Sequence, residues 1–203
     1  MSQNSTPDDP DQALRDRLAD EVAAEAAFEG FGRKALMTAA ERLALPRGEA
    51  DRLFPGGALT VLEYLSTRSD QRMVEALERA GVESMKIRDR IKTAVRTRIG
   101  QHAGSKETAR RALALLALPL NAPLALKLLY RTVDAMWYAA GDTSADFNFY
   151  TKRATLAGVY SSTLLYWLND RSPGDEATWG FLDRRIDNVM SFEKLKGRFR
   201  KSG

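Results

Sequence analysis

Apolar side chains recur at helical spacing in every long segment of the chain. Leu14, Leu18 and Val22 form the first stripe, and glycine or proline residues interrupt each stripe before the next begins. No segment shows the sustained alternation of apolar and polar residues, bounded by turn residues, that is typical of strands. The pattern predicts an all-α protein of about nine helices, at residues 11–29, 33–44, 47–53, 58–81, 84–101, 105–118, 122–140, 146–169 and 176–200.

The clearest amphipathic helix is predicted at residues 84–101. Ile87, Ile91 and Ile99 fall on one face, while most of the basic residues fall on the other. Six basic residues lie between positions 86 and 98, against Asp89 alone. Two interpretations stay open: a solvated helix face, or a surface that meets acidic lipid headgroups or a partner.

Residues 112–129 are too apolar all round for a surface helix. The uncharged run within them, from Ala112 to Leu126, is 15 residues long and contains Pro119 and Pro123, whereas a spanning helix needs roughly 20 apolar residues. We therefore expect a core segment. It belongs either to a filled core or, since the prolines break the helical ladder, to the wall of an apolar cavity.

The first three predicted helices are joined by short turns and look like a helix-turn-helix. We expect a disordered tail at residues 1–10, a helix-turn-helix-like unit at 11–56 and a larger helical domain at 57–200, an organisation that resembles TetR repressors. The helix at 11–29 is mainly acidic and the segment 47–53 has balanced charge, whereas binding to DNA phosphates needs a basic surface. No nucleic acid partner is therefore expected. A ligand-responsive DNA-binding regulator stays open as the first alternative function, and an enzyme that uses the acids of the loop near residue 142 as the second.

Composition excludes several classes of enzyme. The chain has 203 residues, no cysteine and one histidine, so thiolate zinc sites and cysteine nucleophiles are excluded. Helical di-iron sites need Glu-x-x-His twice, and this motif is absent. His102 lies at a helix end, where a cation is favourable, and we expect a structural or incidental role. No metal and no cofactor is expected, and the polar, acidic start indicates a cytoplasmic protein.

The segment from Arg131 to Trp167 holds eight aromatic residues around a short acidic loop. Not all of them fit one interior, so some are expected to form a surface that faces a partner. Asp146 has another interpretation, because it would also complete a capping box with Thr143. The small residues Ala154, Gly158 and Ser161 share a helix face and would allow close packing within the chain or in a dimer.

These residues resemble a known family, the accessory lipid-binding proteins of ubiquinone (coenzyme Q) biosynthesis, whose fold is similar to that of TetR regulators. The resemblance covers residues 11–195. It rests on the motifs Arg52-Leu-Phe-Pro-Gly-Gly57, Leu-Ala-Leu-Pro-Leu-Asn-Ala-Pro123, Val133-Asp-Ala-Met-Trp137, Ala140-Gly-Asp-Thr-Ser144, Asp146-Phe-Asn-Phe-Tyr-Thr-Lys-Arg-Ala154 and Thr178-Trp-Gly-Phe-Leu-Asp183.

The resemblance implies a non-catalytic protein, expected to be a homodimer through its last long helices. It would bind a polyprenylated quinone precursor and present it to a di-iron demethoxyubiquinone hydroxylase. The expected lipid-binding residues are Leu113, Leu116, Leu120, Leu124, Leu128, Trp137, Tyr160 and Leu164. The expected partner-binding residues are Asp134, Met136, Asp146, Phe149, Tyr150 and Arg153, with Phe149 standing where eukaryotic relatives commonly have tryptophan.

Eukaryotic relatives continue into an amphipathic helix that enters the membrane, whereas this sequence ends at Gly203. We expect a basic C-terminal surface to take its place in weak, peripheral contact with the inner membrane, an ordinary basic terminus being the alternative. The expected membrane-contact residues are Lys194, Lys196, Arg198, Phe199 and Arg200.

Overall fold

The computed structural model describes residues 10–102, 105–142 and 147–199, with side chains at 11–102, 105–142 and 149–188. This part of the chain consists of nine α-helices joined by short turns and contains no strand, so the all-α prediction is confirmed. The predicted tail at 1–10 lies outside the described residues except for Pro10. The helices are α1 (Pro10–Glu29), α2 (Arg33–Arg42), α3 (Glu49–Leu53), α4 (Ala58–Arg79), α5 (Ile87–Gly100), α6 (Lys106–Leu116), α7 (Ala122–Ala139), α8 (Phe147–Asn169) and α9 (Glu176–Phe199).

Backbone conformation shortens two of the predicted helices. Ala44 has φ 51°, so the chain leaves the right-handed helix soon after Arg42 and α2 ends before residue 44. Gly48 has φ 84°, a conformation that glycine adopts readily, and α3 begins only at the next residue. The short α3 keeps five residues where seven were predicted.

The helices form two compact units. One comprises the residues up to Arg68 together with Ser105–Ala125, and the other comprises Ser69–Gly104 together with the residues from Leu126 onward. The three boundaries fall within α4, between α5 and α6, and within α7. The division into residues 11–56 and 57–200 stays a prediction of the sequence.

In the first unit, α1, α2, α3 and the start of α4 enclose an apolar core. Leu18, Val22, Leu36, Leu53 and Val61 are almost completely buried there, each stabilising the fold by about 1.5–3 kcal/mol relative to an exposed position. The hydroxyl of Thr108 donates to the Ala23 carbonyl across 3.0 Å and attaches α6 to α1. Ser105 begins α6 by accepting a hydrogen bond from the backbone N–H of Thr108.

A turn of three residues, Pro119–Asn121, separates α6 from α7. Asn121 stabilises it, because its side-chain amide donates to the Leu115 carbonyl across 2.8 Å. No single described helix has the length and apolar composition to cross a membrane; α6 and Pro119–Ala139 meet these criteria only as a pair bent at their break.

In the second unit, α5, α8 and α9 pack with parts of α4 and α7. Trp167 is completely buried, and its indole Nε1 donates to the Asp175 carboxylate across 2.9 Å. Ile99, Met136 and Leu182 are buried in the same unit. These residues lie on four different helices, so one core holds the unit together.

The basic face of α5 lies against α9. Lys92 pairs with Asp183 across 2.8 Å, and Arg88 pairs with Asp187. The guanidinium of Arg96 lies 5.0 Å from the Trp179 ring centroid, within the range of a cation–π contact. The structure therefore differs from both interpretations of this helix, because much of its positive charge contacts α9 and is not left for solvent, lipid or a partner.

A polar cluster is buried in the same unit. Arg98 donates through Nε to Asp70 Oδ1 across 2.8 Å, and the hydroxyl of Thr132 donates to the same carboxylate. Arg98 Nη1 lies 2.7 Å from His102 Nε2. Because a guanidinium only donates, that imidazole nitrogen must accept, and the ring is neutral. His102 is thus an acceptor inside the fold, which corrects the expectation of a cation at the helix end.

His102 should make stability depend on pH. Burial, with the nearby charge of Arg98, lowers the pKa of His102 from 6.5 to about 4. The unfolded chain therefore binds a proton first as the pH falls, so this contribution is full above pH 6.5 and is lost towards pH 4. Relative to His102→Gln, the free energy of unfolding should fall by about 2 kcal/mol between pH 7 and pH 5. Urea denaturation at both pH values measures this difference, and a difference independent of pH would contradict the neutral buried ring.

Candidate functional site

A buried cation connects the end of α7 to the start of α8. Arg153 is 7% exposed and donates through Nε to Asp134 Oδ1 across 2.6 Å. Its Nη1 donates to Asp142 Oδ2 and to the Phe149 carbonyl, each across 3.3 Å. Lys152 Nζ donates to the other oxygen of Asp142 across 2.7 Å. Two basic residues of α8 therefore hold one residue of α7 and one of the loop that follows it.

The turn after α7 places Asp142 in this network. Gly141 has φ 82°, and the backbone N–H of Asp142 donates a hydrogen bond to the Trp137 carbonyl across 3.0 Å. Arg90 of α5 donates to the Ala140 carbonyl across 3.0 Å, and its guanidinium would lie 3.1 Å from a Cβ added at position 141. Glycine is therefore favoured here both by the backbone angle and by the neighbouring side chain.

One aromatic ring packs against the buried cation, and a second ring contacts the first. The Phe149 ring centroid lies 3.3 Å from the guanidinium carbon of Arg153, and Tyr150 meets Phe149 edge to face at 5.2 Å. Tyr150 is 68% exposed and Tyr138, on the last turn of α7, is 72% exposed. We call Tyr138, Phe149 and Tyr150 the aromatic patch. It presents large apolar groups to solvent from two helix ends that Arg153 connects.

Trp137 has an unusual environment beside this network. Lys152 Nζ lies 5.4 Å from its ring centroid. Its indole Nε1 is buried, and among the residues that the structure describes it has no hydrogen-bond partner. A buried donor without an acceptor is costly, so this atom is suited to a bound acceptor such as a carbonyl oxygen.

The two carboxylates of this region are used to hold Arg153. Asp134 and Asp142 both accept hydrogen bonds from Arg153, so their carboxylates orient that side chain. Within the described residues, no three His, Cys, Asp or Glu side chains are grouped to hold a metal ion. The chemical resources of the site are exposed aromatic rings, a fixed ion-pair network and one buried indole donor.

Of the six expected partner-binding residues, the structure brings four together: Asp134, Phe149, Tyr150 and Arg153. Met136 is completely buried, so it lies beneath the surface of α7 and offers a partner no contact area. Asp146 lies outside the described residues. The sequence indicated Tyr138 among the aromatic residues around the loop and Asp142 among its acids, but neither they nor Lys152 were in the expected partner-binding set. The position of Gly141-Asp142 directly after a helix end was the available signal for Asp142.

The expected lipid-binding residues fall into different environments. Leu113, Leu116 and Leu124 are half-buried in the first unit, whereas Leu120 is almost fully exposed and so lines no enclosed cavity. In the second unit, two are buried and two half-buried: Leu128, Tyr160, Trp137 and Leu164. The expected membrane-contact side chains Lys194, Lys196, Arg198, Phe199 and Arg200 fall outside those described.

Replacing Arg153 with methionine should destabilise the protein by about 2–4 kcal/mol. The change removes a cation from between two carboxylates, and Asp142, whose side chain is 4% exposed, keeps only Lys152 of these two partners. Urea denaturation measures the effect. Arg33→Met is the matched control, because its ion pair with Asp51 is exposed and should contribute less than about 1 kcal/mol. Equal losses in the two variants would contradict the role of Arg153.

The fold is shared with a solved transcriptional regulator. A TetR regulator from Nitrosomonas europaea superposes with a TM-score of 0.71, covering 86% of this chain and 97% of that one. The two sequences are 22% identical, so the likeness concerns the fold alone. The predicted TetR-like architecture is therefore confirmed.

Sequence relatives identify the family. A sequence model of the COQ9 family matches residues 122–193, which include α7 and α8. The mitochondrial ubiquinone biosynthesis protein COQ9 of Rattus norvegicus is 35% identical over 181 residues, covering 86% of this chain and 58% of that protein. The Homo sapiens protein is 34% identical over 181 residues, and COQ9-B of Xenopus laevis is 36% identical over 169; the matches cover 86% and 80% of this chain. The chain spans 57% of the length of each of these two relatives. It belongs to the COQ9 family.

Proposed function

We propose that this protein acts in ubiquinone biosynthesis as a non-catalytic accessory protein. It binds a polyprenylated quinone precursor and presents it to a di-iron demethoxyubiquinone hydroxylase. The names of the COQ9 relatives support the pathway. The observation that carries the docking role is the aromatic patch, exposed at the ends of two helices that the ion pairs of Arg153 connect.

The aromatic patch has the properties of a protein contact. Tyrosine is enriched among residues that dominate binding energy, because its ring buries a large area at a small loss of conformational freedom. The Arg153 guanidinium fixes the ring of Phe149, and Phe149 in turn contacts Tyr150. A surface ordered before binding loses little entropy when the partner arrives.

A lipid with a polar, oxygen-bearing head suits the second unit. Leu128, Leu164 and Tyr160 provide apolar surface on α7 and α8, and Trp137 provides the buried indole donor. A quinone or phenol oxygen would accept the hydrogen bond that Trp137 lacks among the described residues, while an isoprenoid tail needs only apolar contact.

The TetR fold keeps DNA binding as the alternative function, but the charges of the first unit oppose it. Arg52, in the short α3, pairs with Asp11 and Glu49 across 2.7 Å each, and Arg68 pairs with Asp16 across 2.6 Å. Side chains held in this way would have to exchange protein carboxylates for phosphates. A salt-dependent mobility shift on one specific DNA sequence would favour the DNA-binding regulator over the lipid carrier.

Lipid extraction tests the ligand. Protein purified without detergent should yield a quinone precursor or another isoprenoid by mass spectrometry. Trp137→Phe should retain about fivefold less of it, because a buried hydrogen bond is lost. Trp179→Phe is the matched control, since the Trp179 Nε1 already donates to the Gly174 carbonyl across 2.9 Å. Equal retention in both variants would remove Trp137 from the site, and an empty wild-type protein would contradict the carrier function.

Changes to the aromatic patch test the docking. Tyr138→Lys together with Tyr150→Lys should weaken binding to the purified hydroxylase at least tenfold, measured by calorimetry, because two exposed rings are lost from the contact. Phe149 is left in place, since its ring packs on Arg153. The urea midpoint should be unchanged.

The matched control for the docking experiment is Phe28→Lys, at an aromatic residue that is 81% exposed in the first unit. Its affinity for the hydroxylase should equal that of the wild type. Full affinity of the double variant would contradict the proposed docking surface.

A further inference from the structure

The turn between α6 and α7 presents an apolar surface to solvent. Residues 117–123 contain no charge, and Asn121 is their only polar residue. Leu120 is 90% exposed and Leu118 is half exposed. The alanines and prolines of the segment are exposed as well. We call residues 117–123 the apolar tip.

The only polar side chain of the apolar tip is turned inward. Asn121 is buried, and its side-chain amide donates to the Leu115 carbonyl across 2.8 Å. Surface turns ordinarily expose polar side chains, because water surrounds them. Here the local fold removes the polar group from the surface and leaves Leu118 and Leu120 pointing outward.

The backbone of the apolar tip has few N–H groups that need an acceptor from outside the chain. Two of its residues are prolines, which have no N–H. Four more donate their N–H to carbonyls of the same helix end or turn: Ala117, Leu118, Asn121 and Ala122. Six of the seven positions therefore present no unsatisfied N–H. In hydrocarbon every backbone N–H must be hydrogen-bonded within the protein, because lipid tails offer no acceptor. In water or against a protein partner, an unpaired N–H could find its acceptor outside the chain.

The charged residues before and after the apolar tip are mainly basic, which favours contact with an anionic lipid surface. From Lys106 to Val133 the sequence contains one acidic residue, Glu107, which pairs with Arg110 and Arg111. Five basic residues of this segment flank the uncharged tip: Lys106, Arg110, Arg111, Lys127 and Arg131. Arg110 precedes Leu116, the last residue of α6, by six residues, roughly 9 Å along the helix axis, and Leu118 follows two residues later. This offset is comparable with the depth from the acyl layer to the headgroups. Leucines can therefore enter the acyl layer while Arg110 exchanges Glu107 for an anionic headgroup.

We propose that the apolar tip inserts into the surface of an anionic lipid bilayer. Leu118 and Leu120 enter the acyl layer, and the basic residues of α6 meet the headgroups. Two leucines give only weak, reversible attachment, as a protein that exchanges a lipid with a membrane needs. The inference goes beyond the proposed function, and its site differs from the basic C-terminus expected from the sequence.

A single fluorescent label tests the insertion. Because the chain has no cysteine, Leu120→Cys provides one attachment point for an environment-sensitive nitrobenzoxadiazole dye. Vesicles of phosphatidylcholine with about one third phosphatidylglycerol should shift its emission to the blue and raise its intensity at least about twofold, as expected when a dye leaves water for hydrocarbon. Lipids spin-labelled in the acyl chain should quench it. A dye at Phe28→Cys, an equally exposed site, should not respond.

A second variant reports on affinity. Leu118→Ser combined with Leu120→Ser removes two exposed apolar side chains, so it should fold normally and lower co-sedimentation with the same vesicles at least tenfold. Phe28→Ser should co-sediment like the wild type. The proposal is overturned if the dye at position 120 stays unchanged while the protein co-sediments, if the wild type does not co-sediment, or if the dye responds to protein concentration without vesicles.

Discussion

Arg153 lies where α7 gives way to α8, and its charge is almost completely removed from water. Such a position is stable only while Asp134 and Asp142 accept its hydrogen bonds, since an unpaired buried charge costs several kcal/mol. The turn at Gly141 brings Asp142 into position to accept one of these hydrogen bonds, and the Phe149 ring packs against the same guanidinium. The aromatic patch is therefore held by the same ion pairs that close the α7–α8 connection.

Much of the charge of this protein is used inside each unit. In the first unit, Arg52 and Arg68 each bind two carboxylates. In the second, Arg88 and Lys92 attach α5 to α9, and Arg98 is buried with Asp70. A net charge of +4 therefore says little about the surface. The described surface also carries two regions with large exposed apolar groups, the aromatic patch and the apolar tip.

The two surfaces suit different partners because their chemistry differs. The aromatic patch combines large rings with fixed ionic groups, which favours a partner that has complementary polar atoms and a defined shape. The apolar tip has aliphatic side chains, an inward-facing amide and a backbone with almost no unsatisfied donors, which favours a deformable apolar phase. A protein that takes a lipid from a membrane and passes it to an enzyme needs both kinds of contact.

Sequence alone determined the helices, because helix formation depends on apolar spacing and on stop signals within a few residues of each end. All nine predicted helices are present, and the errors are limited to ends such as Ala44 and Gly48, where a single backbone angle decides. It also selected the α7–α8 region, since aromatic residues are concentrated there. The tertiary structure decided which side chains face solvent and which charges pair.

Met136 and Tyr138 are two residues apart and therefore lie on opposite faces of α7, and the folded chain decides that the face of Met136 is the buried one. The basic face of α5 meets α9 about ninety residues later in the chain, and Arg153 meets Asp134 nineteen residues earlier. Leu120 belongs to an apolar run that reads as core, but the turn at Pro119 directs it outward. Periodicity describes one element at a time, whereas burial and ion pairing depend on which other element lies opposite, and only the folded chain determines that.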